Sequence, residues 1–139
     1  MSYKEFDKLQ NLTCKNYINF FLAHNLHFSL LCETSKASFN PALPSDLSAR
    51  LREISKFSLA GYTFESIFLD SSHISFEAGF GEDNFGSVVS ISFGDILALS
   101  IDDIKGIESG VYARIDPGLF FENIKTPLQA ILKNKNKSE

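Results

Sequence analysis

The sequence predicts an α+β domain, mainly β, in which an N-terminal helix packs on a strongly bent antiparallel sheet and one further helix is inserted. Three observations predict it. Apolar residues recur at helical spacing near the N-terminus, over 45–55 and in a short C-terminal stretch. From Phe57 onward the period switches to two, as in Phe57, Leu59, then Ile74, Phe76, Ala78, Phe80. Turn-forming clusters divide that β region at short intervals: Asp70-Ser71-Ser72, Gly81-Glu82-Asp83-Asn84 and Pro117-Gly118.

Taken in order, Tyr3, Phe6, Leu9, Tyr17, Phe20 and Phe21 recur at mostly three- and four-residue steps, as one buried helical face requires. Thr13 can cap a helix running to about His24, or the helix can begin near Ser2; the spacing favours two parts, with the firmer helix running from Cys14 to His24 and stopping at Asn25, a residue that tolerates the left-handed conformation. Leu26 to Cys32 is an apolar run of strand length. Glu33 to Pro44, with its serines and prolines, reads as a loop.

Ser45 or Asp46 can cap the inserted helix, 45–55, with Leu47, Leu51 and Ile54 on one face. Ala60-Gly61 is a kink or bulge, and Tyr62, Phe64, Ser66 and Phe68 alternate as a strand would. Val88 to Phe93 and Val111 to Ile115 are further strands, with a short apolar turn or strand start at Asp95–Leu99 and a polar loop at Asp102–Gly110. The expected total is five or six strands. Residues 1–125 form a single domain, and 126–139 a short tail: Thr126-Pro127 starts an amphipathic stretch with Leu128, Ile131 and Leu132 on one stripe, followed by the basic end from Lys133.

Composition narrows function. With 139 residues there is room for one core, and 44% apolar with 22% charged residues is an ordinary globular balance. The 14 Phe, with 4 Tyr and no Trp, supply most of the large apolar area. A net charge of −4 argues against a nucleic-acid partner. Neither a signal peptide nor an apolar run long enough for a membrane anchor is visible, so a cytoplasmic address is expected, with no membrane partner. Cys14 and Cys32 read as free thiols.

No catalytic constellation stands out. His24 and His27 have H-x-x-H spacing, but the second falls past the expected helix end and no third ligand is near, so no metal site is expected. Asp70, Ser71, Ser72 and His73 make a nominal catalytic set but crowd one turn. Gly79 to Gly86 is glycine-rich, yet Glu82 and Asp83 would repel a phosphate. Asp95, Asp102, Asp103 and Glu108 lack the glycine and closing glutamate of a calcium loop. A small antiparallel domain without such chemistry acts by binding, and a sheet edge or groove can take an extended peptide. No cofactor is expected.

Three segments, in order, resemble the stringent starvation protein B (SspB) family, adaptors that bring tagged polypeptides to the ClpXP protease. Asn16 to Leu31 is similar to the family's opening helix, its Asn-containing stop and first strand; Phe76-Glu-Ala-Gly-Phe-Gly81 is similar to its F-x-A-x-F-G strand; Val89 to Leu99 is similar to V-x-V-P-x-x-A-V-L-A-I. The likeness covers residues 14–31 and 57–101. The chain departs from the family at Ser92, where the family has Pro, at Gly79, where a basic residue is common, in a longer loop after Gly81, and in the insert at 45–55.

The resemblance implies an Sm-like bent sheet, a homodimer interface on the first helix (Tyr17, Phe20, Phe21) and a groove holding an ssrA-type degradation tag in extended form. Phe76, Ala78, Phe80, Gly81, Val89 and Ile91 match the groove strands. It further implies that Leu128, Ile131, Leu132 and Lys133 dock on a ClpX-type unfoldase. Two other classes fit the residues: a small acidic secretion or assembly chaperone with a dedicated client, and a hot-dog-like acyl thioester enzyme, against which the loop placement of the acids, Asp95 among them, counts.

Overall fold

The computed structural model describes residues 3–103, 105–116 and 118. It is α+β and mainly β, as expected, but its strands fall into two four-stranded antiparallel sheets rather than one sheet of five or six strands.

Helix α1, Tyr3–Ala23, is continuous. The expected division at Thr13 is absent, because neither Gly nor Pro interrupts the segment and the Thr13 hydroxyl donates to the Leu9 carbonyl one turn back, at 2.8 Å. Gln10, Cys14, Ile18 and Phe21 form its buried face. The helix stops as the sequence predicts. Asn25 takes φ 54°, the Leu26 amide donates to the Phe21 carbonyl at 2.8 Å, and the Asn25 amide reaches the Leu22 carbonyl, which is the paired Schellman closure.

Strand β1 (Phe28–Glu33) follows, then a 3-10 turn and the three-residue strand β2 (Ser38–Asn40) inside the expected loop. The inserted helix is far shorter than expected: α2 spans only Ser45–Ser48, with neither Ser45 nor Asp46 at the cap position, which Pro44 occupies. Long-range pairing outcompetes the helical spacing here. The Thr34 amide donates to the Glu53 carbonyl at 2.8 Å, its hydroxyl bonds the Arg52 carbonyl and Ser55, and Ile54–Leu59 becomes strand β3 against β1.

The alternation from Tyr62 to Phe68 is likewise not a strand. Gly61, at φ 57°, opens the short helix α3 (Gly61–Glu65), which buries Phe64 and leaves Tyr62 exposed. Strand β4 is only Phe68–Leu69. It pairs with β5 (His73–Phe80) through a turn in which Asp70 Oδ1 accepts the Ser72 and His73 amides. The β5 to β6 (Phe85–Ser92) hairpin closes on Gly81, φ 72°, and Asn84, φ 53°.

A 3-10 turn at Phe93–Asp95 then carries the chain from one sheet to the other, into β7 (Ile96–Asp102), and β8 (Glu108–Ala113) lies a little earlier than expected. One sheet has the order β3-β1-β7-β8 and the other β2-β6-β5-β4. Both contribute to one core with α1: Phe28, Leu30, Phe57, Leu59, Ile96 and Leu99 from the first, Ile74, Phe76, Val89 and Ile91 from the second. Each fully buried large side chain contributes about 1.5–3 kcal/mol. The helix is also tied by polar contacts to the chain just past β8. Gln10 donates to the Ile115 carbonyl and accepts from its amide, at 2.9 and 2.7 Å, while Arg114 binds Asp7 and Asn11 at 2.8 and 2.7 Å.

Candidate functional site

Two strand edges face each other without a strand between them. Strand β3 is the outermost strand of its sheet. In the other sheet β4 covers β5 only at Ile74 and Ser75, so among the described residues Phe76–Phe80 has β6 on one side and no strand on the other. Between β3 and this half of β5 lies an open slot of about 530 Å³. A strand edge carries backbone groups available to another chain.

The slot is built in layers. Its floor is Phe57 of β3 and Phe76 of β5, rings 5.4 Å apart at 64°, an edge-to-face contact. Ala78, Gly79 and Phe80 form one wall and Ile54 to Leu59 the other, with Arg50, Arg52 and Lys56 also lining it. Phe80 leans on Phe39 of β2, 5.7 Å between centroids. Near Thr63, which also lines the slot, α3 is fastened to β5: the Glu77 amide donates to Ser66 Oγ at 2.8 Å, and the Tyr62 hydroxyl donates to the Glu77 carboxylate, which raises the Tyr62 pKa. Since the Glu77 amide points away from β6, Gly79, two residues on, turns its backbone to the same open side.

Of the groove residues implied by the resemblance, Ala78 and Phe80 are half-buried in the wall and Phe76 is the floor, 1% exposed. Gly81 lies one residue past the slot, in an adjoining depression of about 380 Å³ that shares Arg50 and Phe80 with it. Its role is the turn and a close approach: a Cβ there would stand 2.6 Å from Leu47 Cδ2. Val89 and Ile91 are corrected outright. Both are 0% exposed on β6, where Val89 pairs with Phe76, and they serve the core.

On α1, Tyr17 and Phe20 are exposed and line a second, apolar trough of about 510 Å³ with Leu26, Ile101 and Val111. Phe21, grouped with them, also lines the trough, but it is only 3% exposed: turned about 100° from Phe20 toward the core, its ring packs against Phe28 at 5.0 Å and Tyr17 at 6.1 Å. Leu128, Ile131, Leu132 and Lys133 lie outside the described residues.

Sequence reasoning missed the β3 side of the slot: Arg50, Arg52, Ile54, Lys56 and Phe57. The signal that could have found it is the alternation of Ser55, Phe57 and Leu59, which are buried, with Ile54, Lys56 and Ser58, which are exposed.

Other chemistry is present but not at the slot. His73 has Ser72 Oγ at 2.7 Å and Asp70 Oδ1 at 3.7 Å from Nδ1, and Ser92 Oγ at 3.1 Å from Nε2. His73 and Ser92 are cross-strand partners, and the turn residues line no part of the slot. The thiols are buried and free: burial pushes Cys14 up to about 12, against the pull of Arg114, and Cys32 up to about 11, with Asp95 and Glu33 adding to it. Such thiols are inert at neutral pH. His24 packs at a tilt against Phe20 and His27 against Phe64. Among the described residues no three His, Cys, Asp or Glu side chains gather as a metal cage needs, and no helix is long and apolar enough to cross a membrane. Compared with known proteins, the chain matches no family model and no curated protein sequence.

Proposed function

We propose that this chain is a non-enzymatic peptide-binding adaptor that captures an unstructured, ssrA-type tagged polypeptide in the slot between β3 and β5 and delivers it to the ClpXP protease in the cytoplasm. The observation that carries the capture step is the pair of facing, uncovered strand edges over the Phe57–Phe76 floor. An extended segment laid there gains backbone hydrogen bonds from the edges and apolar contact with Phe80 and the floor. The small side chain of Ala78 leaves room for its backbone, while the space beside the Gly79 Cα is filled by the Asn84 side chain. Delivery rests on the family resemblance alone. It works by holding the client at high local concentration next to a ClpX-type unfoldase, through the tail residues Leu128 to Lys133. Tyr17 and Phe20, in their apolar trough, are where a second copy packs to form the homodimer.

Titrating a labelled peptide that ends in Leu-Ala-Ala, with the surrounding tag residues, tests the reading. Saturable binding that is lost on blocking the slot supports it; no saturable binding at high micromolar protein removes it. The apolar trough also favours a second reading, a chaperone that seats one dedicated client against Tyr17 and Phe20. A stoichiometric co-purifying partner, released by Phe20→Glu, would favour that alternative.

A further inference from the structure

The slot and the depression that continues it differ in charge. Arg50, Arg52 and Lys56 line the slot and, among the described residues, no acidic side chain does, in a chain whose net charge is −4. Lys56 is engaged by Glu108 at 2.8 Å, whereas Arg52 has no ion-pair partner among the described residues. Past Phe80 the sign reverses: Asp46, Glu82 and Asp83 line the adjoining depression, with Arg50 at the junction of the two. Resting on the proposed capture of an extended segment, we propose that this channel selects its ligand by charge order: a segment with acidic side chains against Arg52 and Arg50, and neutral or basic ones where it passes the Gly81–Asn84 turn.

The physical basis is complementarity at a partly desolvated cleft. A carboxylate beside Arg52 gains a charge-assisted hydrogen bond, and one beside Glu82 and Asp83 meets like charge.

Fluorescence anisotropy with three dye-labelled peptides on an alanine-threonine background tests this: one neutral, one acidic at one end and lysine-bearing at the other, and one acidic at both ends. The bipolar peptide is expected to bind about three- to fivefold more tightly than the neutral one, the scale of an exposed ion pair, and more tightly than the doubly acidic one, with the differences shrinking in high salt. Arg52→Glu, checked for folding by circular dichroism, abolishes the preference for the bipolar peptide over the neutral one, and the turn variant Glu82→Lys raises affinity for the doubly acidic one. Equal binding of all three peptides, or an unchanged ranking in Arg52→Glu, overturns the charge reading while leaving capture standing. Absence of binding by all three overturns capture and the charge reading with it.

Discussion

The rings of Phe57 and Phe76 meet edge to face at 5.4 Å, one from each sheet, and this contact is both a seam of the core and the floor of the slot. The residues that give the channel its depth are therefore the ones that hold its two walls at a fixed separation.

Phe76→Ala is accordingly a stability variant. Deleting a ring that is 1% exposed is expected to cost about 3–5 kcal/mol, read as a lower urea midpoint. A loss below about 1 kcal/mol would show that the ring is not part of a packed seam.

Ala78→Tyr tests the slot without touching the seam. Position 78 is half-buried in the wall, so the added ring fills the channel. Saturable peptide binding should disappear while stability changes by less than about 1 kcal/mol. Undiminished binding would place the peptide elsewhere.

Gln10→Leu probes the clamp between α1 and the chain after β8. It removes both hydrogen bonds to the Ile115 backbone, and the orphaned groups make the expected loss about 1–2 kcal/mol. Amide exchange at Ile115 should quicken in the same variant.

Asp70 gives the profile an acid limb. The Ser72 and His73 amides hold its carboxyl below the ordinary 3.8 in the folded chain. The unfolded chain therefore takes up the proton first. The stabilisation is complete above the unfolded value and is lost as pH falls through the lower, folded one. Urea midpoints measured downward from neutral pH should fall less steeply below about 4 in Asp70→Asn than in the parent.

The thiols provide a check on the core. With Cys14 and Cys32 buried and pushed up to about 12 and 11, neither should react with a thiol reagent at neutral pH until the chain is unfolded, when both should. Rapid labelling of native protein would contradict the packing of α1 and β1.

Much of this was legible locally. Asn25, Asp70 to Ser72 and Gly81 to Asn84 each specify a stop or turn through their own backbone preferences, and the structure uses all three. What escaped were features decided at a distance. Leu47, Leu51 and Ile54 keep helical spacing, but Thr34 captures Arg52 and Glu53 and draws Ile54 into β3. Val89 and Ile91 share a sheet face with Ala78 and Phe80, and what separates them is position along the sheet: paired with Phe76 and Ile74, they lie under the packed core, while Ala78 and Phe80 lie toward the slot. The chain passes between the two sheets four times, at β1 to β2, β2 to β3, β3 to β4 and β6 to β7, and no hydrophobic period marks these crossings.

The central claim is where a ligand chain lies, and ¹⁵N chemical-shift mapping during titration with the tag peptide tests it most directly. Shifts and exchange protection concentrated in Ile54–Leu59 and Phe76–Phe80 are the predicted result. Shifts confined to α1 around Tyr17 and Phe20, or none at saturating peptide, would contradict it.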